Sequence, residues 1–245
     1  MTAITRESYR KKRIADFLKY VGDFRKLEGL EIGPLDFPTF RKEEGKIKYA
    51  DFLSYEELLS KYHDSSLFDT KEIVQPDYII RALEDYSRIQ DKFDYIIACH
   101  VMEHVPNPFG FICQLLDLLH REGVLFLAIP DKRFIAEDVK REETSLAHLL
   151  LDFVQNPDRV TFDHYFDYVL GLEYDRTLDV QTLIEKSKGL FDTGTFEIHS
   201  HVWTDQSFLK QIQYITEQGW IPCKILSSGS TPKGYNEFTV ILKKR

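Results

Sequence analysis

Cysteine is scarce. Cys99, Cys113 and Cys223 are the only three among 245 residues, widely spaced and without a CxxC pair. An odd, scattered set excludes a disulfide framework and a thiolate zinc site, and it fits reduced thiols in a cytoplasm. Also missing is any stretch near the roughly 20 apolar residues of a membrane span, and the N-terminus lacks a signal-peptide apolar core. A cytoplasmic protein with no membrane partner is therefore expected. Positive charge is in deficit, with 32 Lys and Arg against 40 Asp and Glu and a net charge of −8. That balance argues against sequence-independent binding to nucleic acid, which needs a basic face. The one basic cluster, Arg10-Lys11-Lys12-Arg13, reads as the solvated side of a helix with Ile14, Phe17, Leu18 and Val21 facing inward. There is no internal repeat. GxGxxG is absent too, so a dinucleotide's pyrophosphate would lack its glycine turn.

What is present is a strand-helix alternation. Candidate strands run from Lys26 to Ile32, Lys46 to Ala50, Ile73 to Ile80 (with Pro76 inside it), Phe93 to Ala98 and Val124 to Ile129. Ser54 is placed to cap a helix carrying Leu58, Leu59 and Tyr62 on one face. Asn107-Pro108 opens a second helix, with Phe111, Ile112, Leu115, Leu116, Leu118 and Leu119 at helical spacing. Such alternation implies a parallel sheet covered on both faces, with right-handed crossovers. From about Ile135 to Lys188 the pattern changes to charged, aromatic and helical, which reads as an insertion or cap. A helix from Trp203 to Gln218, capped by Thr204 and ended at Gly219, then leads to strands over Ile221–Ser227 and Glu237–Leu242.

The polar residues gather where these strands end. Gly33, just past the first strand, permits a ligand to approach the backbone. Asp51 closes the second strand about 20 residues further on, the spacing of a carboxylate that accepts both hydroxyls of an adenosine ribose. The fourth strand stops abruptly at Cys99 and His100, with Glu103 and His104 within one turn. A neutral imidazole at His104 can take a proton from an attacking hydroxyl or simply orient the substrate. Lys132 and Arg133, after the fifth strand, are suited to an anionic acceptor such as a phosphate or carboxylate. His199 and His201 complete the polar cluster before the Thr204 helix. The Tyr-xxx-Lys pair of a short-chain reductase is not found at a strand end.

Leu30-Glu31-Ile32-Gly33-Pro34, HVMEHVPNP at residues 100–108, LAIPDKRF at 127–134 and HSHVWT at 199–204 together resemble class I S-adenosylmethionine (SAM)-dependent methyltransferases. Within them the likeness is to bacterial enzymes linked to surface-glycan or capsule modification. The resemblance implies an α/β, Rossmann-like seven-stranded sheet whose last strand lies antiparallel between its neighbours. It implies a SAM-binding domain over residues 1–134 and 201–245, with a helical insertion over 135–200 between strand five and the C-terminal strands. Leu35 and Phe37 stand where the family's loop has further glycines, and Ala82 stands where its adenine-edge acid is usual. The cofactor contacts implied are Glu31, Gly33, Pro34, Asp51, Leu83, Cys99 and His100. His104 is the first candidate base and His201 the second, while Lys132, Arg133 and His199 face the acceptor. The expected reaction is methyl transfer to an oxygen or nitrogen of a small polar molecule, with a non-catalytic binding protein of the same fold as the alternative. Some methyltransferases hold magnesium through ExxEH and a distant His. His100 replaces the first acid here, so no metal is assigned, although His100, Glu103 and His104 with His199 or His201 form a set better suited to zinc. Oligomeric state stays open, a homodimer included.

Overall fold

A computed structural model describes residues 4–172 and 179–245. Residues 173–178 of the expected insertion lie outside the described residues. Seven strands form one sheet: β1 (Glu28–Ile32), β2 (Lys46–Asp51), β3 (Tyr78–Ile79), β4 (Phe93–Cys99), β5 (Leu119–Pro130), β6 (Cys223–Gly229) and β7 (Glu237–Lys244). Their order is β3-β2-β1-β4-β5-β7-β6. The first five strands run parallel, and β7 lies antiparallel between β5 and β6, pairing Leu125 with Leu242 and Ile225 with Leu242. This is the α/β sheet the sequence leads one to expect.

The helices are α1 (Arg6–Val21), α2 (Tyr55–Tyr62), α3 (Pro108–Leu118), α4 (Leu146–Gln155), α5 (Phe162–Leu172), α6 (Val180–Thr193) and α7 (Asp205–Glu217). Their starts follow local chemistry. Ser54 accepts from the Glu57 amide while Glu57 reaches back to the Ser54 amide, and Asn107 accepts from the Gly110 amide ahead of Pro108. Thr204 caps α7 in the same reciprocal way through Ser207.

Alternate residues of the central strands supply two cores. On one face Leu30, Ile96, Leu125 and Leu127 pack with Phe109, Ile112, Phe208 and Ile212 of α3 and α7. On the other, Tyr95, Ile97 and Phe126 pack against Phe17 of α1, together with Phe24 and Phe40. Each such aromatic or aliphatic side chain contributes roughly 1.5–3 kcal/mol by leaving water. Gly29 is required beneath Tyr95, because a Cβ there would lie 2.2 Å from the ring.

Three expectations about elements need correction. The third strand shrinks to Tyr78–Ile79 because Pro76 has no amide to give, and pairing starts only with the Asp77 amide on the Tyr49 carbonyl. The fifth strand begins five residues early, at Leu119, across a register shift opposite Phe93 and Tyr95. The basic face of α1 is not merely solvated. Arg10 bonds Glu44 and the Pro38 and Thr39 carbonyls, Arg13 bonds Glu237, and Leu18 points outward instead.

Candidate active site

The chain leaves β1 toward β2 on one side and returns through β4 on the other, and at such a switch point the carboxyl ends of the strands splay into a crevice. A cavity of about 810 Å³ lies there. Glu31, Gly33, Pro34, Asp51, Leu83, Cys99, His100 and His104 all line it.

Each is delivered by its element. Gly33 turns the chain off β1 at φ 61°, with its amide on the Ala50 carbonyl, and a Cβ would meet Val101 Cγ2 at 3.1 Å. Leu35, in the position of a further glycine, adopts φ 49°, so this loop takes a left-handed turn without a glycine there. Glu31 does not point freely at a ligand. Both its oxygens accept from the Thr39 amide, at 2.8 and 2.9 Å, so it shapes the 33–40 loop from beneath. Burial pushes its pKa up to about 7 against the pull of those bonds. Asp51 ends β2 with Oδ1 on the Leu53 amide at 3.2 Å, and burial raises its pKa. Asp85 is spent on the amides of Arg81 and Ala82, which fixes the turn that presents Leu83.

At the end of β4, burial pushes the Cys99 thiol up to about 12, which leaves it a small apolar neighbour and not a nucleophile. His100 sits at φ 54° and shares a 2.8 Å hydrogen bond with Glu237. Glu237 also takes a two-pronged ion pair from Arg13, at 2.9 and 2.5 Å. Although burial pulls the other way, Arg13 and His100 hold the Glu237 carboxyl down at about 2. His104 lies in a short 3₁₀ turn over Met102–His104. Its Nδ1 is 2.9 Å from the Ile198 carbonyl, which can only accept, so Nδ1 carries the proton and Nε2 the lone pair. Burial lowers its pKa, keeping the ring neutral.

The insertion supplies the far wall through Asp158, Arg159, Val160, Tyr165, Phe191 and the 194–197 segment. Phe196 packs against Phe52 with centroids 4.6 Å apart and ring planes tilted by 46°, and Glu197 meets Lys61 and Tyr62 of α2. The N-terminal helix contributes Arg6, Tyr9 and Arg13. Arg6 forms a bidentate pair with Asp36 at 2.8 and 2.6 Å. These α1 residues were not foreseen, and the only signal was the cluster of basic residues read as solvent-facing.

Lys132, Arg133, His199 and His201 do not line the cavity. Arg133 is held by Asp131 and Asp205, and Lys132 reaches the Val139 carbonyl. His199 Nδ1 is 2.5 Å from Asp138, and His201 is fully buried with Nε2 on Asp152 at 3.0 Å. His100, Glu103 and His104 do not share a helical face. However, Glu103 is buried with neither carboxylate oxygen hydrogen-bonded among the described residues, and one ligand atom each of Glu103, His104 and His199 lie within 4.8 Å of one another. That trio has the chemistry to hold a cation.

An S-adenosylmethionine-dependent methyltransferase from Clostridium acetobutylicum has the same fold, with a TM-score of 0.50 at 12% identity over 98% of this chain and 92% of that one. The magnesium protoporphyrin IX methyltransferase of Synechocystis, solved with bound SAM, scores 0.46 at 14% identity over 98% and 78%. The N-methyltransferase NodS of Bradyrhizobium japonicum, solved with S-adenosylhomocysteine, scores 0.47 at 11% over 96% and 86%. No curated protein sequence matches the chain. Residues 6–167, more than half of its length, match the family model described as a methyltransferase domain. With that match and the seven-stranded sheet that carries the cavity, the chain belongs to the methyltransferase-domain family.

Proposed function

We propose that the chain is a SAM-dependent methyltransferase that acts on an oxygen or nitrogen of a small polar acceptor, such as a sugar, a sugar phosphate or a glycan precursor. One observation carries the reading. A single cavity has a carboxylate, Asp51, on one wall and an imidazole, His104, whose Nε2 carries the lone pair, on another. The residues fit the donor. Asp51 can accept the ribose hydroxyls, and Gly33 leaves backbone where a side chain would intrude. Leu83, Ile80 and Tyr86 offer apolar surface for adenine. When bound, SAM supplies a methyl group already activated on a sulfonium.

The protein's part is therefore to orient, to exclude water and to remove a proton. His104 Nε2 receives the proton that an attacking hydroxyl or neutral amine sheds as its new bond to the methyl carbon forms, while its Nδ1–H stays on the Ile198 carbonyl and holds the ring in place. The helical insertion over 135–200 forms the acceptor wall, as a cap on the SAM-binding domain of residues 1–134 and 201–245. Arg159, exposed on that wall, takes the place expected for Lys132 and Arg133 opposite an anionic acceptor.

Two measurements test this. Calorimetry with SAM is expected to show binding that weakens in Asp51→Asn. Incubation with methyl-labelled SAM and a panel of nucleotide sugars, sugar phosphates and amino acids is expected to label one class. Absence of SAM binding would overturn the reading. Binding with no label transferred to any acceptor would favour the non-catalytic alternative.

A further inference from the structure

Behind the cavity, four side chains from three parts of the chain aim their donor atoms at one point. His148 and Asp152 lie one turn apart on α4, His164 is on α5, and His201 precedes α7. His164 Nε2 is 3.1 Å from His148 Nε2 and 3.2 Å from His201 Nε2. Asp152 Oδ2 is 3.0 Å from His201 Nε2, 3.3 Å from His148 Nε2 and 3.6 Å from His164 Nε2. All four donor atoms fall within 4.8 Å of one another.

Hydrogen bonding alone does not account for this convergence. Each neutral Nε2 offers either one proton or one lone pair. If His148 and His201 each give a proton to Asp152, neither has one left for His164. The outer nitrogen of His164 settles its tautomer. Thr161 donates its only hydroxyl proton to Asp163 Oδ1 at 2.5 Å, so it must accept from His164 Nδ1, 2.7 Å away. The Nε2 lone pair of His164 is thereby turned into the cluster. An acceptor on the far N–H is how metal-binding imidazoles are commonly oriented, and the Thr161 hydroxyl, fixed by Asp163, takes that role here. His201 is held by its ring stacking on Trp203, with centroids 5.6 Å apart and planes 15° apart.

We propose that His148, Asp152, His164 and His201 form a tetrahedral site for one divalent transition-metal ion, with zinc the best fit. Zinc bound to imidazole nitrogen and carboxylate oxygen at about 2.0–2.1 Å has ligand atoms about 3.3 Å apart, and the five separations above run from 3.0 to 3.6 Å. Four protein ligands close the coordination sphere, so the ion is structural and leaves no open position for substrate. Three imidazoles exclude magnesium and calcium, which prefer oxygen. The ion clamps α4, α5 and the segment entering α7 together. Its neighbours Val160 and Tyr165 belong to the acceptor wall, so the clamp fixes the shape of that wall. The site is independent of the proposed reaction.

Purified full-length protein is stripped with a chelator and then titrated with zinc, and separately with cobalt(II). One equivalent of either is expected to bind, and cobalt should give the intense visible absorption of tetrahedral coordination. Zinc at about 1,000 times its dissociation constant should raise the melting temperature by roughly 8 °C or more. His148→Ala, at the half-exposed edge where folding is least at risk, should no longer retain the ion. Thr161→Val should weaken binding roughly 10- to 100-fold. Metal-free protein that takes up neither ion and melts at the same temperature with and without zinc overturns the proposal. Retention of zinc by a His148→Ala, Asp152→Asn double variant also overturns it, because the ion would then lie elsewhere.

Discussion

At the scale of single residues, Asp51 sets function against stability. Its carboxylate is held where burial disfavours the charge more than the Leu53 amide favours it, so the ionised group weighs against the ligand-free fold. Asp51→Asn is expected to weaken SAM binding by about 1.5–3 kcal/mol, the range of charge-assisted hydrogen bonds, while leaving the ligand-free protein equally stable or more so. Calorimetry and thermal melts on the same preparation check both halves. His104 divides the two steps differently. His104→Ala should lower turnover by roughly 10²- to 10⁴-fold with SAM affinity unchanged, as a pre-steady-state assay with the identified acceptor would show. Leu35 carries backbone strain at φ 49°, a conformation that costs an L-residue roughly 1–2 kcal/mol. Leu35→Gly should therefore cost no stability despite the entropy glycine adds to the unfolded chain. A loss above about 1 kcal/mol in urea unfolding would mean that the Leu35 side chain outweighs the strain.

At the scale of elements, α1 is tied to the far end of the sheet through Arg13 and Glu237, the first residue of β7. The Glu237 pKa is depressed in the folded state, so its contribution is fully present above the ordinary carboxylate value. It is lost as the pH falls from about 4.5 through about 2. Arg13→Met should remove about 3 kcal/mol near neutral pH by stranding a buried carboxylate. It should also move acid unfolding to higher pH, read by circular dichroism across that window. The elements themselves were largely legible. Apolar runs such as Phe93–Ala98 and caps such as Ser54 and Thr204 act through neighbours in sequence, so they could be read before any contact was known. That Gly33, Asp51 and His100 line one cavity was legible for the same reason, since each ends a strand or directly follows one. The far wall of the cavity was not. Whether Arg133 faces a ligand depends on Asp205, 72 residues beyond it, and whether His201 reaches the cavity depends on Asp152, 49 residues before it. No local spacing encodes such partners, nor the reach of Arg6 to Asp36.

At the scale of the whole molecule, the insertion has its own polar interior. Arg141 is buried and bonds Asp138, Asp167 and the His199 carbonyl. Gly171 of α5 makes room for it, because a Cβ there would lie 2.1 Å from Arg141 Cγ. Removing that guanidinium leaves Asp138 without its buried cation. Arg141→Ala is expected to cost about 3–5 kcal/mol and to expose the insertion to proteolysis before the sheet, which limited digestion followed by mass spectrometry would reveal.

The chain's two tryptophans occupy opposite environments. Trp203 is fully buried against the His201 ring, whereas Trp220 is 46% exposed beside Phe153. Excitation of the indoles should therefore give a composite emission whose blue component reports the packing around His201 alone. With Trp220→Phe, the remaining light comes from a single fluorophore within one ring's distance of the histidine cluster. Paramagnetic cobalt or copper arriving there would darken it, so the fold carries its own optical gauge.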